Sequence, residues 1–159
     1  MYESDEISKD ILTEYQANRL QSIIQEMVKC CQDSRMYEKE ILGLPCTESK
    51  CLLLFDTEQY LTVNDISRKM NVAKSRATKL VQGLLNKQLV ERTEDPQDTR
   101  IKLISTTHAG KKKIREVESY YLQIHKELIN LISFEERSRL LNYLEMLRNS
   151  MEEMKLNLL

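Results

Sequence analysis

The sequence predicts a mainly α-helical fold carrying one small β-hairpin. Three observations lead there. Gly and Pro together number five in 159 residues, where average usage gives about 19, and so few turn residues argue against an all-β sandwich or barrel. Apolar residues recur at three- and four-residue spacing along most of the chain. One stretch breaks that period: residues 89–93 and 100–105 read as short strands around Glu94-Asp95-Pro96-Gln97-Asp98-Thr99. A Pro and two Asp residues between strand-like runs mark a hairpin tip.

The length suits one domain, or one domain with oligomerisation arms. No run of about 18 apolar residues is present, so no transmembrane helix is expected. The start, Met-Tyr-Glu-Ser-Asp-Glu, is acidic and lacks the basic-then-apolar pattern of a signal peptide. A cytoplasmic protein is expected. Thiols stay reduced there, so the four cysteines need an explanation other than structural disulfides.

Taken in order, Ser8 is expected to cap a long first helix reaching about Lys39, with Ile11, Leu12, Tyr15, Leu20, Ile23, Ile24, Met27, Val28 and Cys31 at helical spacing. Gly43-Leu44-Pro45 ends it. Thr47 is expected to cap a short second helix, buried through Leu52, Leu53, Leu54 and Phe55. Thr62 caps a third helix ending near Met70, with Asp65 placed to return a bond to the cap's amide and to suit the helix dipole. After a tight turn at residues 71–73, a fourth helix runs from about Lys74 to Lys87. Its buried stripe is Ala77, Leu80, Val81 and Leu84. Lys74, Ser75, Thr78, Lys79 and Gln82 fall on the opposite side, with Arg76 on the flank. Beyond the hairpin, Thr106 or Thr107 opens a fifth helix reaching Ile132, with Gly110 in its first turn for close packing. Ile114, Val117, Tyr121, Ile124 and Leu128 form one seam there. Leu140, Leu144, Leu147, Met151, Met154 and Leu158 form another on a last helix from about Phe134. Such seams want partner helices.

The net charge of −1 hides a segregation. Between Thr62 and Arg115 stand 13 Lys and Arg against five Asp and Glu, a net of +8; the other 105 residues carry −9. A basic module in an acidic frame is the footprint of a nucleic-acid-binding domain. Three helices followed by a hairpin across Cys51–Ser105 is the order of a winged helix-turn-helix. One amphipathic helix enters the major groove, the preceding helix braces it, and the hairpin, or wing, carries a cation to the neighbouring minor groove.

The motif Asp98-Thr-Arg100 followed ten residues later by Gly110, with Thr107-His-Ala-Gly110, resembles the MarR family of bacterial regulators. Leu61-Thr-Val-Asn-Asp-Ile66 and Leu84-Leu-Asn-Lys-Gln-Leu89-Val90-Glu-Arg92 resemble that family's third-helix start and recognition-helix exit. Thr106 stands where the family usually has Leu, and Gln88 where it usually has Gly. The resemblance implies three parts: an N-terminal dimerisation helix over residues 1–45, a winged helix-turn-helix over 46–105, and C-terminal dimerisation helices over 106–159. It implies a homodimer with an intertwined helical dimerisation domain. That dimer would act as a repressor on a palindromic operator in double-stranded DNA, without a membrane, and be relieved by a metal, an oxidant or a small molecule. The residues implied at the DNA are Thr62, Lys74, Ser75, Arg76, Thr78, Lys79, Gln82, Asp98, Arg100 and Lys102. Asp98 is expected to be mainly structural, Arg100 to probe the minor groove or backbone, and Lys74 and Lys102 to touch phosphates.

Cys30, Cys31, Cys46 and Cys51 lie within 22 residues. Three readings stand open: plain core packing, a metal site holding zinc or an iron–sulfur cluster, and a thiol redox switch. His108, at the start of the fifth helix, could complete a metal site; His125 reads as surface or interface. Tyr15, Tyr37, Tyr120, Tyr121 and Tyr143 could line an effector pocket or belong to core and interface. No Gly-rich phosphate loop, paired-histidine motif or nucleophile elbow is present, so an enzyme is not expected. The rival readings are a protein-interaction winged helix without DNA binding and a thiol-based redox enzyme.

Overall fold

The computed structural model describes the backbone of residues 2–157 and the side chains of residues 13–32 and 38–157. Helix α1 spans Tyr2–Leu42, longer at both ends than expected, so Ser8 lies within the helix rather than at its cap. The helix stops at Gly43, whose φ of 66° is left-handed backbone that glycine adopts without steric cost. Helix α2 (Cys46–Leu53) follows almost at once. Its N-cap is Pro45, not Thr47. The chain leaves Pro45 at ψ 141°, and the Pro45 carbonyl accepts from the Glu48 and Ser49 amides at 2.8 and 3.0 Å. A backbone carbonyl thus starts this helix, and Thr47 falls in its first turn.

Helix α3 (Val63–Met70) begins as its sequence dictates. The Thr62 hydroxyl accepts from the Asp65 amide at 3.2 Å, and Asp65 Oδ2 accepts from the Thr62 amide at 2.9 Å and from its hydroxyl at 2.6 Å. These bonds satisfy two amides that a helix start otherwise leaves unpaired. Asn71 ends α3 in the left-handed region (φ 52°, ψ 51°), one of the few non-glycine residues that tolerates it. The Val72 amide donates to Ser67 O at 3.0 Å, and the Ser67 hydroxyl donates back to Val72 O at 2.7 Å. That turn aims helix α4 (Lys74–Asn86) across α3.

Strands β1 (Val90–Glu94) and β2 (Lys102–Thr106) pair antiparallel, from Val90 opposite Thr106 to Glu94 opposite Lys102. A further bridge joins Leu61 to Ile104, with N–H···O distances of 3.0 and 2.8 Å. It ties the entrance of α3 to the root of the wing. One apolar cluster holds these elements together. Leu52, Ile66, Ala77, Val81, Leu84 and Ile104 are wholly buried in it, with Leu44, Phe55, Leu61 and Ile114 around them. Truncating such a side chain to Ala typically costs about 2–5 kcal/mol.

Helix α5 (His108–Asn130) starts in a tight knot. The Thr107 hydroxyl donates to Gln88 O at 2.7 Å and accepts from the Gly110 amide at 3.0 Å, while the Thr107 amide donates to Leu89 O at 3.2 Å. A Cβ on Gly110 would overlap the Leu89 carbonyl oxygen, so close packing is the reason for this glycine. Gln88 takes φ 58°. The chain therefore makes the left-handed turn for which glycine is suited, and makes it with a side chain present.

The chain divides into two compact units, Met1–Ile114 and Arg115–Leu159. The second holds the rest of α5 and helix α6 (Phe134–Asn157). Arg137 fixes the turn between them: its Nε donates to Ile132 O at 3.0 Å, and Nη2 donates to Asn130 Oδ1 at 3.2 Å. No described residue of α6 is buried, and Leu141, Leu144, Met151 and Met154 stand exposed.

Two stability measurements check these local arguments. In urea unfolding, Gln88→Gly is expected to stabilise by up to about 1 kcal/mol, the relief of the left-handed conformation less the added freedom of the unfolded chain. Gly110→Ala is expected to destabilise by about 3 kcal/mol, because backbone must move to admit the methyl group. The Asp65 carboxyl is held below the usual range, chiefly by the Thr62 hydroxyl and then by the Thr62 amide. A carboxyl lowered by folding adds stability above its unfolded value of about 3.9 and loses it as the pH falls through the folded value. Asp65→Asn is therefore expected to be less stable than wild type at pH 7, and the two should converge below about pH 4.

Candidate nucleic-acid interface

Helix α4 buries one stripe, Ala77, Leu80, Val81 and Leu84, and so must turn the other outward. Ser75, Thr78, Lys79 and Gln82 lie along that outward stripe and are exposed; Lys74 and Arg76 flank it, also exposed. Asn86 continues the stripe one turn beyond Gln82 and accepts a hydrogen bond from it. Its spacing of four from Gln82 was the available sequence signal.

The start of α4 is electrostatically open. Its N-cap, Ala73, offers no side chain to the free amides, and no acidic residue occupies the first turn. The positive end of the helix dipole therefore faces solvent beside Lys74, a setting that favours an anion. Helix α3 is the contrast, because its cap is closed by Asp65. Thr62 sits half-buried in that cap with its hydroxyl already engaged.

The hairpin tip is built by carboxylates binding backbone. Asp95 Oδ1 accepts from the Gln97 and Asp98 amides at 2.7 and 3.3 Å. Asp98 Oδ1 accepts from the Arg100 amide at 3.0 Å and stands 3.3 Å from Arg100 Nε. The Arg100 side chain is nevertheless 92% exposed, and an ion pair so open to water holds a guanidinium weakly. Asp98 shapes the tip, and Arg100 extends from it. Lys102 is more constrained: it pairs with Glu94 and donates to Thr99 O at 3.0 Å. A phosphate would have to compete with Glu94 for it.

The cysteines have different settings. Cys30 and Cys31 are exposed on α1, Cys46 is half-buried at the start of α2, and Cys51 is buried. His108 is exposed at the start of α5. Among the described residues, no three His, Cys, Asp or Glu side chains are grouped so as to hold a metal ion. Burial pushes the Cys51 thiol up to about 12, with the Glu48 carboxylate adding to it. The protonated thiol is a poor nucleophile and a poor ligand. Glu48 itself reaches α4: Oε2 lies 2.8 Å from Lys87 Nζ, and its carboxylate occupies the space a Cβ on Gly83 would need. No local sequence pattern announces that contact.

Of the tyrosines, Tyr15 and Tyr143 are exposed, and Tyr120 and Tyr121 stack obliquely at 5.8 Å. The side chain of Tyr37 lies outside the described residues, as do those of Ser8, Ile11 and Leu12. Leu158 also lies outside them. No helix among the described residues is long and apolar enough to cross a membrane.

Residues 42–101 match the model of the MarR family. An HTH-type transcriptional regulator of Bacillus subtilis (strain 168), YdgJ, itself uncharacterized, is 26% identical over 113 residues, covering 71% of this chain and 69% of the relative. Two solved structures share the fold. A mutant of MepR from S. aureus superposes with a TM-score of 0.75 at 23% identity, covering 81% of this chain and 96% of MepR. FabT of Streptococcus pneumoniae, in complex with DNA, superposes with a TM-score of 0.70 at 18% identity, covering 84% and 98% of the two chains.

The raised Cys51 thiol gives a direct chemical check. At pH 8, iodoacetamide is expected to leave Cys51 unmodified in the folded protein and to modify it once urea unfolds the chain. Peptide mass spectrometry reads both states, and rapid native modification would contradict the buried setting.

Proposed function

We propose that this chain, whose residues 42–101 match the MarR family, is a winged helix-turn-helix transcriptional regulator of that family, acting as a homodimer that binds a palindromic operator in double-stranded DNA and represses transcription there. One observation carries the reading. A solvent-facing stripe of Ser75, Thr78, Lys79 and Gln82 lies on a helix whose N-terminus is uncapped and free of acid, within a module of net charge +8. This combination suits a polyanion whose groove admits a helix. Ser75, Arg76, Thr78, Lys79 and Gln82 would approach base edges. Lys74 would take phosphate, and Arg100 would enter the minor groove or meet the backbone beyond. Thr62, its hydroxyl engaged by Asp65, would fix the start of the bracing helix α3 rather than take a phosphate, and Asp98 would hold the tip. FabT, of the same fold, was solved in complex with DNA, which supports placing this surface on a duplex.

Exposed apolar side chains support the second copy. Leu20, Ile23 and Met27 on α1 and Leu144, Met151 and Met154 on α6 stand in water in the single chain. Such contiguous apolar stripes are ordinarily covered by a partner. Residues 1–45 and 106–159 would supply the dimerisation helices, and residues 46–105 the DNA-binding part. Relief by an effector belongs to the same proposal. A cleft of about 490 Å³ beside the wing root, lined by Phe55, Asp56, Tyr60, Glu91, Thr106 and Lys111 among others, has the size for a small molecule. A metal or oxidant acting on Cys30, Cys31 or Cys46 is the other route. A protein-interaction winged helix would bind no duplex, and a redox enzyme would need a reactive thiolate.

Salt dependence separates these readings. Binding to duplex DNA is expected to weaken steeply between 50 and 200 mM salt, with a log–log slope of about −0.9 per phosphate contacted. Arg100→Ala is expected to weaken binding by about tenfold and lower that slope by about one, while the mass by light scattering stays at twice the chain. Salt-independent binding, or none, would remove DNA from the account. Unchanged affinity in the variant would remove the wing.

A further inference from the structure

The outward stripe of α4 ends in a pair of amides. Gln82 and Asn86 are four residues apart and exposed, and Gln82 Nε2 donates to Asn86 Oδ1 at 2.9 Å. Residues at that spacing are neighbours on a helix surface. A glutamine amide carries two N–H donors and one carbonyl acceptor. With one donor committed to Asn86, one orientation of the amide is favoured, and one N–H and Oε1 remain for a ligand.

A donor beside an acceptor matches one base edge better than the rest. In the major groove adenine offers the N7 acceptor and the N6 amino donor together, guanine offers two acceptors, cytosine a donor, and thymine an acceptor and a methyl group. No other side chain of the stripe presents a donor atom and a separate acceptor atom in a fixed orientation. Lys79 and Arg76 are donors only. The Thr78 hydroxyl donates to Lys74 O at 2.9 Å, so it keeps lone pairs and a methyl group. The Ser75 hydroxyl turns freely about its bond. Asn86 Oδ1 already accepts from Gln82, so the Asn86 amide is turned toward Gln82.

We propose that Gln82 reads an adenine in the major groove of each operator half-site, and that Asn86 is the positioning residue that sets its amide for that contact. This rests on the DNA-binding reading above and adds what the recognition helix selects. A free glutamine side chain can rotate its amide to suit guanine or adenine; a glutamine held by Asn86 discriminates between them.

The test uses the full-length chain to select duplexes from a library randomised over about 20 base pairs, the span of two half-sites. Wild type, Gln82→Ala, Asn86→Leu and Asn86→Asp are compared on the selected duplex and on its single-pair variants. Wild type is expected to enrich one adenine per half-site. Replacing that A·T pair by G·C is expected to lower its affinity about tenfold to a hundredfold. Gln82→Ala and Asn86→Leu should bind both duplexes alike, with unchanged helix content and melting temperature, since both positions are exposed. Asn86→Asp keeps an acceptor for Gln82 Nε2, so it should bind more weakly overall yet retain the adenine preference. An unaltered base preference in Gln82→Ala or Asn86→Leu overturns the proposal, as does a selected site without adenine. A wild-type chain that binds no duplex overturns the DNA-binding reading and this one with it, and the wild-type arm alone decides that.

Discussion

The approach of Gly110 to the Leu89 carbonyl is the constraint on which the proposed DNA-facing surface depends. Three segments meet there: the exit of α4, the first residue of the wing and the first turn of α5. Thr107 binds all three, donating to Gln88 O and Leu89 O and accepting from Gly110. The wing root is therefore placed relative to the recognition helix by backbone atoms at van der Waals limits, a geometry that leaves little freedom of angle. A side chain at Gly110 would part these segments before it disturbed any residue of the proposed DNA-facing stripe.

Electrostatics follows from the same frame. The two helices of the helix-turn-helix end differently: α3 is closed by its own Asp65, and α4 is left open beside Lys74. The closed end is self-sufficient in water. The open end gains most from an external anion, because no side chain caps its first turn and no acid there answers its dipole. The wing repeats the division. Asp95 and Asp98 satisfy backbone amides in the tip, and Lys102 is matched by Glu94. Arg100 extends into solvent. Acidic residues in this basic module serve its construction more than they offset its field.

Much of this was legible in the sequence wherever the cause is local. Thr62 and Asp65 announce a capping box by type and spacing, and the structure forms it. The apolar positions of α4 predict its buried stripe, hence its outward one. Gly110 was legible through its spacing from Asp98 and Arg100. The misreadings have physical reasons. Thr47 looked like a cap because Thr often is one, but the Pro45 carbonyl starts α2 by backbone geometry alone. Gln88 by its residue type gave no sign of a left-handed conformation, which the surrounding turn imposes; only its place where the resembled family usually has Gly pointed there. The distinct settings of the four cysteines depend on tertiary packing, which buries Cys51 and leaves Cys30 and Cys31 in water, and spacing does not encode it. Glu48 meets Lys87 and Gly83 across nearly 40 residues of chain, beyond the reach of any local pattern.

Helix α1 has a consequence for the life of the protein in a cell. Its 41 residues extend about 62 Å at 1.5 Å per residue, and Leu20, Ile23, Met27 and Val28 meet water along it. A helix this long draws little stability from its own hydrogen bonds and most from packing of its apolar stripe. If, as proposed, a second copy supplies that packing, folding becomes a matter of mass action. Newly made chains at low abundance would spend longer with α1 uncovered and be cleared faster by proteases, while chains at higher abundance would protect one another. Turnover, and so the steady level of the regulator, would then depend on its own concentration before any effector is bound.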